Sequence, residues 1–236
     1  MVDNTSPPLY CNDLSVGYGG NPVLRNVSVS VDAGSTIALA GPSGCGKTTL
    51  LKTLAGILEP MSGEAVVVGT TLPATPPPGS LGYIPQNLGI VLHETVLRNV
   101  LHGTLTDLSG IRSVFGRFPE RAKQDAVDAI NRVGLAGTEH HRVSTLSGGQ
   151  RRRVAIARAF VQQPTVLLAD EILSELDEVT AQSVITCMQE LQQETAMAVL
   201  LVEHNTDIAE EIADRLLFVD SDRHQQPVAH RSQARL

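Results

Sequence analysis

The feature that most constrains the fold is the stretch GPSGCGKT, which occupies residues 41–48. It matches the pattern G-x-x-x-x-G-K-[ST] and stands between the apolar run TIALA and a segment with helical periodicity. In that context the glycines let the backbone turn so that its N–H groups face a phosphate, and the helix adds its positive N-terminus. The stretch therefore predicts a phosphate-binding loop between a strand and a helix.

The positions inside this loop carry distinct expectations for a bound nucleotide. Lys47 would reach the β- and γ-phosphates, and the Thr48 hydroxyl would ligate Mg²⁺. Two hypotheses stay open for Cys45: a reactive thiol at a helix N-terminus, or a small residue at a variable position. If the Cys45 thiol is reactive, an alkylating reagent would slow ATP hydrolysis, and bound nucleotide would protect the thiol from the reagent. The expected nucleotide-binding residues of the loop are Gly41, Pro42, Ser43, Gly44, Cys45, Gly46, Lys47, Thr48 and Thr49.

Apolar runs elsewhere in the chain predict an α/β core. TIALAG, TVLLAD and AVLLVEH are short and continuously apolar, which is typical of parallel strands covered on both faces. NVSVSV alternates valine with polar residues, which indicates a strand with one solvated face. Helical periodicity over residues 48–58, after Glu120, and through most of residues 89–160 predicts flanking helices and an inserted helical lobe.

Chain length and charge narrow the class of protein. We expect a single domain over residues 1–236, with residues 1–88 and 160–236 forming the α/β core and residues 89–159 the helical lobe. The net charge of -7 argues against general affinity for nucleic acid. No apolar stretch reaches the roughly 18–20 residues needed to cross a bilayer, and the first residues lack a signal peptide's pattern. Any membrane role is therefore expected to come through a partner. Three scattered cysteines indicate a reduced, cytosolic chain.

Two adjacent carboxylates end the apolar run TVLLAD. Asp170 stands at the end of the expected strand, where it would hold Mg²⁺ opposite Thr48. Because side chains alternate along a strand, Glu171 should point to the other side and be available as the general base for an attacking water. The magnesium ion brought by the nucleotide would compensate this crowded negative charge.

The stretch LSGGQRRRVAIARAF, residues 146–160, predicts a second helix N-terminus that binds phosphate, because two glycines precede a long helical pattern. At this point the chain resembles the ATP-binding subunits of ABC transporters over nearly its whole length. LSGGQ matches the signature of that family, and VLLADE matches its Walker B motif with the catalytic glutamate. The resemblance implies a P-loop NTPase fold: a mixed sheet with flanking helices, an antiparallel β subdomain and an inserted α-helical subdomain.

The same resemblance assigns further site residues. Tyr18 in VGYGG corresponds to the aromatic residue that stacks on adenine, and His204 in LVEHN to the switch histidine. Gln86 in GYIPQN corresponds to the glutamine that senses the γ-phosphate, and it is expected among both the catalytic and the metal-binding residues. The signature residues and the D-loop acid complete the expected nucleotide site: Ser147, Gly148, Gly149, Gln150 and Asp177.

The resemblance also implies cofactors and partners. ATP and Mg²⁺ would be bound between two head-to-tail copies, because the signature of one subunit completes the ATP site of the other. Transmembrane permease subunits would be direct partners at the cytoplasmic face of the membrane, and a periplasmic or extracellular solute-binding protein an indirect one. Residues 151–153, three arginines, are interpreted as part of the signature helix, shaping a nucleotide-binding surface and a solvated face, and not as a nucleic-acid patch.

The cargo is indicated only by finer resemblance. NVLHGTL, RSVFGRF and AINRVGLAG are similar to the helical lobe of phosphonate-import ATP-binding proteins. The alternatives are an importer of another small solute, an exporter, a soluble ABC ATPase without a membrane partner, and a nucleotide-binding scaffold that has lost catalysis. Two positions depart from the family pattern: Ile172 stands where proline is usual, and Glu175 adds a charge to the D-loop.

Overall fold

The computed structural model describes residues 6–106, 118–173 and 176–219. Its strands are β1 Leu9–Tyr18, β2 Asn21–Val31, β3 Thr36–Ala40, β4 Ser62–Val67, β5 Thr70–Thr71, β6 Leu81–Ile84, β7 Val166–Asp170, β8 Ala198–Val202 and β9 Arg215–Phe218. Its α-helices are α1 Lys47–Leu54, α2 Val96–Leu101, α3 Glu120–Arg132, α4 Gly148–Phe160, α5 Glu178–Thr195 and α6 Thr206–Ile212. Short 3₁₀ helices occupy His102–Thr106 and Val143–Thr145.

The central sheet is parallel, in the order β6-β7-β8-β3-β9. Every residue of β3, β7 and β8 is buried, which confirms the prediction drawn from their continuous apolar runs. Asp170 and Leu39 both pair with Val202, so the carboxyl ends of these three strands lie level with one another.

A second, antiparallel sheet has the order β2-β1-β4-β5. In β2 the three valines of NVSVSV are buried while the asparagine and serines between them are exposed, as the alternation predicts. The sheet packs against α1 and one face of the parallel sheet in a shared hydrophobic cluster that includes Leu14, Leu50 and Leu168. The predicted P-loop NTPase fold with an antiparallel β subdomain is confirmed.

The two faces of the parallel sheet belong to different hydrophobic clusters. Leu167 and Ala169 contribute to the cluster that holds helices α2–α5, whereas Val166 and Leu168 contribute to the cluster on the side of α1. Alternation along β7 therefore places Asp170 on the α1 side of the sheet, where the phosphate-binding loop ends.

Helix α1 is shorter than the helix predicted over residues 48–58. It ends at Leu54, and Gly56 adopts a φ of +72°. The N–H of Ile57 bonds to the carbonyl of Lys52, and that of Gly56 to Thr53, which is the Schellman arrangement of a helix C-terminus. Gly56 adopts this left-handed conformation without the steric cost of a side chain, so the helix stops there although apolar residues follow.

Helices α2, α3 and α4 pack against one another and form the helical subdomain. In the sequence, these helices lie between β6 and β7. Residues 112–117, Glu175 and the tail from residue 220 onward lie outside the described residues, so the expectations for them stay predictions. Within the described ranges, no helix is long and apolar enough to span a membrane.

Candidate nucleotide-hydrolysis site

The carboxyl edge of the parallel sheet collects the predicted site residues. Gln86 follows β6, Asp170 ends β7, His204 follows β8, and the phosphate-binding loop follows β3. These four strands are neighbours in the sheet and run in the same direction, so the segments after them emerge side by side. This is the edge at which α/β sheets bind their ligands.

The phosphate-binding loop depends on glycine at two positions. Gly41 has a φ of +147° and Gly46 a φ of +107°, conformations that L side chains rarely adopt. A Cβ on Gly41 would stand 2.2 Å from the Val219 carbonyl oxygen, and a Cβ on Gly46 would stand 2.7 Å from a Leu24 side-chain carbon. Gly46 is also the N-cap of α1 and offers no capping side chain, so the first turn stays open to an anion.

Lys47 is held by the loop itself. Its Nζ donates to the carbonyl oxygens of Gly41 at 2.8 Å and Pro42 at 2.9 Å, and it lies 3.7 Å from Cys45 Sγ. The residue is only 5% exposed. To contact the β- and γ-phosphates as predicted, Lys47 Nζ would exchange these carbonyl oxygens for phosphate oxygens. Cys45 is 3% exposed, so an alkylating reagent would have to open the loop to reach its sulfur.

Asp170 is a buried acid. Neither of its carboxylate oxygens makes a hydrogen bond of normal geometry among the described residues, although the Thr48 hydroxyl and the charges of Lys47 and Lys52 favour the ionised form. It is 1% exposed. Burial raises the pKa of Asp170, with the Thr48 hydroxyl lowering it in part and the Glu171 charge raising it further. Burial also raises the pKa of the neighbouring Tyr83 to about 12, to which the Asp170 charge contributes. An unpartnered carboxylate beside a hydroxyl is the oxygen ligand set that Mg²⁺ prefers, so these residues fit the predicted ion.

Glu171 is held between residues that follow two other strands. Gln86 Nε2 donates to its Oε2 at 2.9 Å, and His204 Nε2 lies 2.6 Å from its Oε1. The histidine contact requires a proton on that nitrogen. The strand ends at Asp170, and Glu171 has a φ of +55°, so a left-handed backbone position sets the direction of its side chain. The structure thus brings together the three residues predicted as catalytic.

The position of His204 depends on a residue that sequence reasoning missed. Glu203 is 2% exposed, and its Oε1 accepts from the N–H groups of His204 at 2.9 Å and Asn205 at 3.2 Å. Asn205 in turn caps α6, with its side chain accepting from the N–H groups of Asp207 and Ile208. The available signal was an acid directly after the buried run AVLLV, where burial demands hydrogen-bond partners.

The signature segment begins α4 with a capping box. The Ser147 hydroxyl accepts from the Gln150 N–H at 3.2 Å, and the Gln150 side chain accepts from the Ser147 N–H at 3.0 Å. Ser147 and Gly148 are both exposed. This end of the helix is therefore available to a group outside the chain.

The interpretation of residues 151–153 as a solvated face was wrong for Arg152. Arg151 and Arg153 are partly exposed, whereas Arg152 is 6% exposed and donates from Nη1 to the Glu171 carbonyl oxygen. Residue 152 precedes the buried Ile156 by four positions, so helical periodicity places it on the inner face of α4. Arg152 also lines a cleft of about 280 Å³ together with Gln86, Gly148 and Glu171.

The remaining predicted residues lie at the ends of secondary-structure elements. Tyr18 ends β1 and is 49% exposed, as an aromatic that stacks on a nucleobase requires. Asp177 caps α5 by accepting from the Thr180 N–H at 3.0 Å and the Thr180 hydroxyl at 2.7 Å, bonds that lower the pKa of Asp177. Their contacts with nucleotide, and the role of Asp177 across a dimer, stay predictions.

The chain matches known proteins over most of its length. A family model described as ABC transporter covers residues 24–174. The phosphonates import ATP-binding protein PhnC of Maricaulis maris is 37% identical over 225 residues, which cover 91% of this chain and 85% of that protein. The taurine import ATP-binding protein TauB of Yersinia pestis bv. Antiqua is 36% identical over 202 residues, covering 86% and 75%.

Solved structures share the fold. A dimeric ATP-binding cassette in a post-hydrolysis state, bound to ADP and Pi, superposes with a TM-score of 0.81 at 22% identity and covers 94% of this chain and 99% of its own. An ATP-binding subunit of an ABC transporter gives a TM-score of 0.77 at 25% identity, covering 93% and 90%. At 22% identity, the first of these structures shows only that the two chains share a fold.

Proposed function

The chain belongs to the ABC transporter family, and on that premise we propose that it powers the import of phosphonate or a related phosphorus oxyanion. It is an ATP-hydrolysing importer subunit. The observation that carries the hydrolytic role is the contact of Glu171 with both Gln86 and His204, at 2.9 and 2.6 Å. Two neighbouring side chains hold this carboxylate in place, which supports the assignment of Glu171 as the general base.

The residues divide the work of hydrolysis as follows. Lys47 and the backbone of the phosphate-binding loop would bind the phosphates, and Tyr18 would stack on the base. Asp170 and Thr48 would hold Mg²⁺, which neutralises charge on the phosphates when bound. Glu171 would accept the proton of an attacking water, while Gln86 and His204 fix the orientation of its carboxylate.

A second copy of the chain is the proposed partner at the nucleotide. The exposed Ser147 and Gly148 at the start of α4 would bind the ATP held by the other subunit's phosphate-binding loop. Closure of that dimer around ATP would shift the permease subunits at the cytoplasmic face of the membrane, a change driven by ligand binding. The solute-binding protein would act through those permeases.

The hydrolytic mechanism is tested by Glu171→Gln. This variant should reduce turnover to a small residual rate but keep ATP affinity, since Lys47, Thr48 and Asp170 are untouched. Gel filtration should then show a dimer that depends on ATP, while Glu178→Gln, at the exposed start of α5, serves as a control with normal turnover. Undiminished hydrolysis by Glu171→Gln would show that another group is the base.

The cargo is tested in the assembled transporter. We expect ATP-dependent uptake of an alkylphosphonate into vesicles that contain the chain, its permease and its solute-binding protein. The taurine import relative at 36% identity makes a sulfonate the second candidate, because both anions carry a tetrahedral oxyanion group. Uptake of taurine in preference to the phosphonate would replace the proposed cargo and leave the hydrolytic role intact.

A further inference from the structure

We propose that Arg152 is a positioning residue for Glu171: its buried guanidinium holds the backbone of the catalytic base in the conformation that aims the carboxylate at Gln86 and His204. This inference rests on the proposed hydrolytic function and deepens it. The hydrogen bond from Arg152 to Glu171 links the signature helix to the proposed base of the same subunit.

The first support is the burial of Arg152. The residue is 6% exposed, and its Nη1 donates to the carbonyl oxygen of Glu171, the residue directly after β7. A guanidinium loses much of its hydration when it is buried, so it is retained inside a protein where hydrogen bonds compensate that loss. A bond from a charged donor is also stronger than one between neutral groups.

The second support is the backbone of Glu171. Its φ of +55° lies in the left-handed region, which is unfavourable for a residue with a side chain. Such a conformation persists only where the surroundings determine it from several sides. Here the Glu171 N–H donates to the Val202 carbonyl at 3.0 Å, and the Glu171 carbonyl accepts from Arg152. The peptide groups on both sides of the Glu171 Cα are therefore held.

The direction of the carboxylate follows from that backbone. The side chain leaves the Cα at an angle set by φ, and in this conformation its oxygens reach Gln86 and His204. A Glu171 that relaxed to an extended backbone would move its carboxylate out of reach of one or both. Small displacements of a catalytic group lower turnover steeply, because the reacting atoms must be aligned.

The neighbouring arginines have different partners. Arg151 donates to the carbonyl oxygens of Val143 and Ser144, and Arg153 donates to those of Val133 and Gly134. Both therefore brace the helical subdomain. Arg153 is a matched control, since it is the same residue type, one position along the same helix, and bonded to backbone carbonyls in the same way.

The test compares Arg152→Met with Arg153→Met in the full-length chain. Methionine fills much of the arginine volume and removes its donors, so the fold should persist. Arg152→Met should lower kcat by about tenfold to hundredfold while the KM for ATP changes by less than about threefold. Arg152→Lys should restore part of kcat, since an ammonium can donate one hydrogen bond to the same carbonyl. Arg153→Met should keep kcat within about twofold, even if its melting temperature falls.

A second measurement separates positioning from a role of Arg152 that is independent of Glu171. In the Glu171→Gln background, adding Arg152→Met should cause no further loss of the residual rate, because a residue that acts through Glu171 has nothing left to position. A further loss of about tenfold would overturn the proposal. If circular dichroism shows that Arg152→Met does not fold, Arg152→Leu, which also lacks donors, replaces it with the same expectation.

The outcomes also distinguish this inference from the function on which it rests. Wild-type protein without ATPase activity would refute the proposed function and this role together. Wild-type turnover that Glu171→Gln reduces to a small residual rate, with kcat unchanged in Arg152→Met, would refute only the role of Arg152. A loss expressed in KM instead of kcat would likewise show that Arg152 supports nucleotide binding and not the base.

Discussion

Asp170→Asn should stabilise the nucleotide-free protein. Asp170 is 1% exposed, and neither carboxylate oxygen has a hydrogen-bond partner among the described residues. An unsatisfied buried polar group costs about 1–3 kcal/mol, and more when it is charged. An asparagine amide would also lack partners there, so the variant gains only the extra cost of burying a charge instead of a neutral polar group. We therefore expect the free energy of unfolding to rise by about 1 kcal/mol, or the melting temperature by about 2–4 °C.

The pH dependence has a definite sign. Burial raises the pKa of Asp170 in the folded state above its unfolded value, so the folded state binds more protons between those two pKa values. Stability of the wild type should therefore fall as pH rises through that window, whereas the asparagine side chain of the variant does not titrate. The advantage of Asp170→Asn should be largest at neutral pH and should shrink as the pH falls toward the unfolded pKa of aspartate.

The assay is thermal unfolding in EDTA at a series of pH values, followed by a repeat with Mg²⁺ and ATP. Asp125→Asn is the control, because that carboxylate is 54% exposed and its ion pair with Arg121, at 3.9 Å, is worth little. With Mg²⁺ and ATP the wild type should gain stability from binding and the variant much less. A variant that melts below the wild type in EDTA, or an advantage independent of pH, would refute the reasoning.

Three further predictions concern the nucleotide and the signature helix. Tyr18→Ala should weaken ATP binding about tenfold or more with little change in melting temperature, since base stacking is worth about 1–3 kcal/mol and the residue is half exposed. Titration with ATP measures it, Tyr18→Trp is the control that keeps stacking, and unchanged affinity of the alanine variant would contradict the assignment. Lys47→Ala should weaken ATP binding itself, in contrast to Glu171→Gln; full affinity in the same titration would count against the loop assignment. Ser147→Ala removes one half of the capping box and should lower the nucleotide-free melting temperature by about 2–4 °C, whereas Ser147→Asp, which can still cap, should not.

Local patterns were sufficient to predict the elements that carry the site. Continuous apolar runs predicted β3, β7 and β8, and alternation predicted β2. The order of apolar and polar residues indicates whether a strand is buried on both faces or on one. The end of α1 was missed, since Ile57 and Leu58 continue the apolar pattern while Gly56 stops the helix. Local backbone preference overrode side-chain periodicity there.

The sequence by itself determined that one chain carries a phosphate-binding loop, a buried acid at a strand end and a signature helix start, because each is a short motif whose chemistry depends on adjacent residues. Tertiary structure alone decided how the distant parts meet. The order β6-β7-β8-β3 brings Gln86, Glu171 and His204 to one edge, although no local pattern states which strands are neighbours. The placement of α4 brings the buried Arg152 to the Glu171 carbonyl and holds a left-handed backbone position that no propensity favours. Contacts between segments far apart in the chain supply the energy that makes such a conformation persist.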